Sequence, residues 1–95
     1  MILIVNLDLL GPAASYDPLY DELKKQGTWW HYMRWTWLLD TERSPGQIVD
    51  ALKPHIQPSD RILVSPLTRP YQGMLTKEEW AWIRERMNAQ KSRSG

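Results

Sequence analysis

Asp8 is the polar residue of this sequence that is best placed for chemistry. It follows the aliphatic run "ILIVNL" and lies two positions after Asn6. Because side chains alternate along a strand, Asn6 and Asp8 should share one face. A carboxylate there can bind Mg²⁺ or Mn²⁺, which take one or two protein carboxylates and keep several waters. In a two-fold dimer, the two copies of Asp8 could share one ion and assist the hydrolysis of a phosphodiester.

A structural role is the alternative for Asp8, because one aspartate is not a motif. At the end of a strand, its carboxylate can accept hydrogen bonds from amides of the following loop, "LGPAAS". The sequence has no Gly-rich phosphate loop, no Ser-His-Asp spacing and no metal-ligand cluster of His, Asp and Glu. His31 lies among aromatic residues, a pattern that favours a hydrogen-bonded interface histidine over an acid–base catalyst.

The segment "GTWWHYMRWTW", residues 27–37, contains four of the six tryptophans of the chain. Its rings could stack single-stranded bases, but such platforms are usually surrounded by basic residues. Arg34 is the one Lys or Arg in the segment, so a basic surround would need Arg61, Arg69, Lys91 or Arg93 to converge on it. Packing in a core or a dimer is the favoured interpretation. The packing candidates are Trp29, Trp30, Tyr32, Trp35 and Trp37.

Composition indicates one small domain. The chain has 95 residues, with a domain predicted over residues 1–87 and a flexible tail at 88–95. Its net charge of +1 gives no general attraction to nucleic acid or to anionic membranes. It has no cysteine, no basic signal-peptide start and no apolar run of the roughly 18–20 residues that a membrane span needs. We therefore expect a cytoplasmic protein that does not enter a membrane.

Hydrophobic periodicity and helix-capping residues predict the elements that must position these side chains. Asp17, Ser44 and Thr76 are predicted N-caps, and Gly27 is predicted to stop the first helix. The predicted elements are a strand at 2–9, a helix at 18–26, strands at 28–33 and 35–40, a helix from Pro45, a strand at 61–65 and a helix after Thr76.

This order of elements is a split β-α-β pattern. It predicts an α+β, ferredoxin-like βαββαβ fold with an antiparallel sheet and an extra C-terminal helix. The first two helices would cover one face of the sheet. The other face would be too rich in Trp to remain in water, so it needs a cover. That cover could be the C-terminal segment, a second subunit or a ligand.

The chain also resembles a known group. The segments that carry the resemblance are "ILIVNLDL" ending in Asp8, the helix closing at Gly27, "GTWWHY" and "TWLLDT". Together they resemble the small SinR-like proteins, which are grouped with the CRISPR-associated protein 2 nucleases and the virulence-associated protein D toxins. The resemblance covers most of residues 1–65, and "GTWWHY" with the following Trp is its most distinctive part.

The resemblance implies a ferredoxin-like fold and a homodimer in which two sheets face each other. It also implies that the aspartate ending the first strand binds a divalent metal at the dimer axis, a role that carries over to Asp8 alone. The chain departs from the nucleases at Leu7, where they commonly have Tyr, and in having no Phe. Many members use the fold only as a nucleic-acid-binding scaffold.

Two functions follow as hypotheses. The first is a metal-dependent endonuclease of the endoribonuclease-like kind, which would act on RNA or DNA as a homodimer. In this hypothesis Asp8 is the catalytic metal ligand, and the candidate nucleic-acid contacts are Arg34, Arg61 and Arg69. The second is a non-catalytic dimeric scaffold, or a toxin–antitoxin or regulatory module, without nuclease activity.

Overall fold

The computed structural model describes residues 1–94, and their side chains except those of Ala14, Tyr32 and residues 89–94. It is a small α+β fold with four strands and three α-helices. The elements are β1 (Ile2–Asp8), α1 (Asp17–Lys24), β2 (Thr28–Met33), β3 (Thr36–Asp40), α2 (Pro45–Leu52), β4 (Arg61–Pro66) and α3 (Lys77–Ser94), with 3-10 turns at Ala13–Tyr16 and Lys53–His55.

The four strands form one antiparallel sheet in the order β2-β3-β1-β4. β3 lies between β1 and β2, and β1 lies between β3 and β4, so each helical connection passes over one strand. Asp8 pairs with Arg61 in register, and Asn6 pairs with Thr36. The end of β1, the β2–β3 turn and the start of β4 therefore meet at one end of the sheet.

The first core lies between the sheet and the pair α1 and α2. Alternate residues of β1 point into it, as the period of two predicts. Trp37 and Leu39 of β3 join them, and the two helices contribute aliphatic side chains. The fully buried members are Leu3, Val5, Tyr16, Leu19, Leu23, Leu39, Ile48 and Leu52.

A second core lies on the opposite face of the sheet, under α3 and residues 67–75. Trp30 of β2 meets Trp82 of α3 edge-on, with ring centroids 6.1 Å apart. Arg86 lies with its guanidinium carbon 4.3 Å from the centroid of the Trp82 ring and with Nε 3.7 Å from Oδ2 of Asp40. The buried residues are Ile2, Leu38, Trp82 and Ile83. Of the three covers considered from the sequence, the C-terminal segment of the same chain covers this part of the face.

Two of the predicted helix starts are confirmed as capping boxes. Ser44 Oγ accepts from the Gln47 N–H at 3.2 Å, and Thr76 Oγ1 accepts from the Glu79 N–H at 3.2 Å. The reciprocal bonds to the backbone N–H of Ser44 and of Thr76 are 2.9 Å and 3.0 Å long. The prediction for Asp17 was wrong, because the 3-10 turn runs directly into α1 and puts Asp17 inside its first turn.

At the β2–β3 hairpin, side chains do not simply alternate between the two faces of the sheet. The register shifts between His31 and Met33, and β3 begins at Thr36 because Arg34 and Trp35 form the turn. Met33 was expected on the face of Trp29 and His31, but it lines a cavity on the α3 face. The extra residue of a bulge explains this change of face.

α3 is helical through Ser94, so it extends into residues 88–95, which were predicted to be a tail. The side chains of 89–95 lie outside the described residues, and the flexibility of this stretch stays a prediction. Among the helices described, none is long and apolar enough to cross a membrane.

Candidate functional site

We use the name "Asp8 end" for Asp8, Leu10, the turn residues 33–36 and residues 60–63. Asp8 is exposed at the last position of β1, directly opposite Arg61. The two strand ends border an open cleft of about 340 Å³, lined by residues 6–8 and 61–63. The cleft therefore presents a carboxylate and a guanidinium from neighbouring strands.

The Asp8 carboxylate does not accept hydrogen bonds from the amides of the following loop, which is the structural role considered for it above. Among the described residues, the Asp8 side chain has neither a hydrogen-bond partner nor an ion-pair partner. The amide of Leu10 donates to Asp60 Oδ1 at 2.9 Å, and the amide of Gly11 donates to the Tyr16 hydroxyl at 2.8 Å. Because these other groups accept from the loop amides, the Asp8 carboxylate is left available.

Asp60 is the acidic residue that holds this end together. Besides Leu10, it accepts from the Gln57 N–H at 3.0 Å and from the Tyr16 hydroxyl at 2.8 Å. Burial of the carboxylate acts to raise the pKa of Asp60, but the three hydrogen bonds favour the ionised form and its pKa is lowered overall. Burial raises the pKa of Tyr16, and the Asp60 carboxylate adds to that rise.

Exposed apolar side chains gather at the Asp8 end. Leu10 and Leu63 are each 65% exposed, Met33 is 55% exposed and Trp35 is 46% exposed. They come from the loop after β1, the β2–β3 hairpin and β4, and of the four Leu63 lines the cleft. Trp, Met and Arg are enriched at protein interfaces, and clustered exposed apolar residues mark such surfaces.

The three candidate arginines do not all lie together. Arg61 borders the cleft, and Arg34 lies in the β2–β3 turn at the same end of the sheet, 5.9 Å over the Trp35 ring. Arg69 follows β4, which ends at Pro66 beside Leu3, at the opposite end of the sheet. The structure therefore places two of the three arginines at the Asp8 end.

The tryptophans of residues 27–37 are shared between the two cores. Trp37 is 3% exposed and stacks on His31, with centroids 4.2 Å apart and planes 6° apart. Trp29 lies 5.3 Å from Trp37, while Trp30 packs against α3. His31 is fixed by a 3.0 Å contact between Nε2 and the carbonyl oxygen of Arg34. Trp29 and Trp35 remain partly exposed, and the side chain of Tyr32 lies outside the described residues.

One chain by itself provides few metal ligands. Across the described residues, no group of three or more His, Cys, Asp or Glu side chains could hold a metal ion. Asp8 can supply one carboxylate, which fits Mg²⁺ or Mn²⁺ only if water, substrate or a second chain completes the coordination.

Sequence reasoning missed two features of this region. One is the bond between Tyr16 and Asp60, which are 44 positions apart. The other is a cavity of about 410 Å³ between the sheet and the C-terminal segment, beside Asn6. Neither has a local sequence signal, because each depends on how distant elements pack.

No protein-family model matches this chain, and no curated protein is significantly similar to it. Its function is therefore inferred from its own residues and their geometry.

Proposed function

We propose that this chain is a homodimeric, metal-dependent phosphodiesterase of the endoribonuclease-like kind, in which Asp8 of both copies binds one Mg²⁺ or Mn²⁺. The observation that carries the proposal is the exposed Asp8 carboxylate in the cleft opposite Arg61, without a hydrogen-bond or ion-pair partner among the described residues. A carboxylate with no structural partner is free to bind a cation or to meet its symmetry mate.

The chemistry assigned to each group follows from its position. A bound divalent ion would activate water and neutralise charge on a phosphodiester. Asp8 would hold that ion at the mouth of the cleft. Arg61, directly opposite, and Arg34, at the same end of the sheet, would bind the phosphates on either side. Neither arginine has an acidic partner among the described side chains.

The proposed dimer uses the Asp8 end and not the whole face of the sheet. α3 already covers the part of that face around Leu38, while Leu63 stays 65% exposed beside the cleft. A two-fold axis there would bring two copies of Asp8 together and bury the apolar side chains around them. The strand order, with each connection passing over one strand, supports a ferredoxin-like assignment for the fold.

Nuclease assays with an isosteric variant test the proposal. Purified wild type, Asp8→Asn and Asp50→Asn are incubated with single-stranded RNA and DNA, with Mg²⁺, with Mn²⁺ and with EDTA. Asp50 is exposed on α2, which packs on the face of the sheet opposite α3, and its side chain makes no ion pair or hydrogen bond among the described residues. We expect wild type and Asp50→Asn to cleave nucleic acid with Mg²⁺ or Mn²⁺ and not with EDTA. The cleavage rate of Asp8→Asn should be lower by about 100-fold or more, because loss of the metal ligand removes the cofactor. Equal activity of all three proteins, or none from wild type, would contradict it.

A non-catalytic dimeric module is the second candidate, as a scaffold or as a toxin–antitoxin or regulatory component. It is favoured by the lack of a multi-residue ligand cluster within the described part of one chain. This candidate predicts that Asp8→Asn changes assembly or partner binding without any change in nucleic-acid cleavage. Sedimentation of wild type and variant, run beside the nuclease assay, separates the two candidates.

A further inference from the structure

A second concave site adjoins the Asp8 cleft. It is the cavity of about 410 Å³ between the sheet and residues 67–83, a size within the roughly 300–1,000 Å³ of small-molecule sites. Asn6 lines both the cavity and the cleft. Asp8 lies two residues further along the same face of β1, about 7 Å away along the strand. A single ligand could therefore occupy the cavity and reach the cleft.

The walls of the cavity are apolar and partly aromatic. Ile4 and Leu38 of the sheet and Ile83 of α3 form an aliphatic part of the lining. Tyr71 and Trp80 also line it, and their rings are 19° from parallel with centroids 6.3 Å apart. Flat aromatic surfaces of this kind bind nucleobases by stacking.

Three polar side chains line the cavity, and each has a donor or acceptor without a hydrogen-bond partner among the described residues. Asn6 Oδ1 accepts from Thr36 Oγ1 at 3.0 Å, which orients the Asn6 amide and leaves its NH₂ group unused among the described residues. Gln72 lines the cavity and is exposed, and neither its amide nor the Tyr71 hydroxyl has a hydrogen-bond partner in the described part of the chain. The Asn6 NH₂ group can donate to a ligand, and the Gln72 amide and the Tyr71 hydroxyl can both donate and accept, so they favour a flat molecule with polar groups along its edge, such as a nucleobase.

We infer that this cavity binds one nucleobase of the nucleic-acid strand and that the adjoining phosphate lies at Arg61. The inference rests on the proposed function for the position of the phosphodiester, and it adds the recognition of a base. Uridine 5′-monophosphate carries one base and one phosphate, so it probes the cavity and the cleft together. Ribose 5-phosphate, which has the phosphate but no base, is the comparison ligand.

Calorimetric titration in EDTA measures this binding without any cleavage. We expect uridine 5′-monophosphate to bind wild type at least several-fold more tightly than ribose 5-phosphate, which lacks the base. Gln72→Leu should weaken binding about three- to ten-fold through a lost hydrogen bond, and Tyr71→Leu should weaken it about five-fold or more through lost stacking. The control is Asn88→Leu, which removes an exposed amide from α3 outside the cavity lining and should bind as wild type does.

A phosphate-free ligand tests the link between cavity and cleft. Arg61→Ala should weaken binding of uridine 5′-monophosphate and leave binding of uridine unchanged. The inference is overturned if uridine 5′-monophosphate does not bind, if ribose 5-phosphate binds equally well, or if Gln72→Leu and Tyr71→Leu bind as Asn88→Leu does. Cleavage without base binding would overturn this inference alone. Base binding without cleavage in the nuclease assay would overturn the proposed function alone.

Discussion

Two aspartates at the Asp8 end have opposite surroundings. Asp60 accepts three hydrogen bonds and ties the loop after β1 to the start of β4. Asp8, on the neighbouring strand, is exposed and has no partner among the described residues. The Asp60 carboxylate thus holds local structure, whereas the Asp8 carboxylate makes no structural contact among the described residues. This division is why Asp8 is the better place to expect chemistry.

The Asp60 network predicts a loss of stability in acid. Because its folded pKa is lowered below 3.8, Asp60 stabilises the fold above that pH, and the contribution is lost as the pH falls through the folded pKa. Asp60→Asn should lower the thermal midpoint at neutral pH and flatten its decline in acid. Thermal unfolding followed by circular dichroism from neutral to acidic pH measures both. Asp50→Asn is the control, and an acid profile of Asp60→Asn that matches wild type in slope would contradict the prediction.

At the scale of elements, the junction of α1 and β2 shows why Gly27 is needed. It was predicted to end the helix, but α1 ends at Lys24 and no glycine among the described residues has a positive φ. A Cβ at position 27 would instead overlap the carbonyl oxygen of Asp40 and would lie 3.1 Å from Cβ of Thr41. Gly27 therefore allows the chain to pass close to the end of β3.

Two glycine substitutions test this explanation. Gly27→Ala should lower the free energy of unfolding by about 1–3 kcal/mol, the usual cost of forcing a backbone shift. Gly46→Ala is the matched control, because a Cβ there meets only Ser44 Oγ at 3.9 Å within α2. It should leave stability unchanged or raise it by up to about 1 kcal/mol. Urea unfolding gives both values, and equal effects of the two substitutions would refute the close-approach explanation.

Sequence patterns located the elements well and their contacts poorly. Capping residues gave the starts of α2 and α3, and β2, which ends at Met33, was placed to the residue. The bulge after His31 has no local sequence signature, so the prediction of which face of the sheet Met33 lies on was wrong. Asp8 could be chosen as a candidate because it ends a strand. The Asp60 network and the cavity beside Gln72 depend on packing between distant segments, which periodicity does not encode.

At the scale of the whole molecule, four of the seven large apolar side chains that are exposed among the described residues lie where the proposed site is, and the other three are Met1, Trp29 and Met74. Leu10, Met33, Trp35 and Leu63 all lie at the Asp8 end, and all are more than 40% exposed. The opposite part of the sheet face is buried by α3 around Trp82. The molecule thus has one end that a second copy could cover, and that end is the one that contains the carboxylate.

Leu63→Lys tests this surface for dimerisation. Wild type should sediment as a dimer, and the variant should be monomeric, because two added charges would meet near the two-fold axis. Its thermal midpoint should change little in dilute solution, since Leu63 is 65% exposed in the single chain. Lys53→Leu, which changes an exposed residue after α2, is the control. A monomeric wild type, or a variant that remains dimeric, would rule out this interface.

The position of α3 along the chain also orders events during synthesis. Residues 1–66 contain the whole sheet and the two helices of the first core, so they can pack as they leave the ribosome. Until residues 67–87 have been made, the face that includes Ile2, Trp30 and Leu38 has no cover from its own chain. Nascent chains that stall before residue 67 would therefore expose apolar surface that chaperones and proteases recognise.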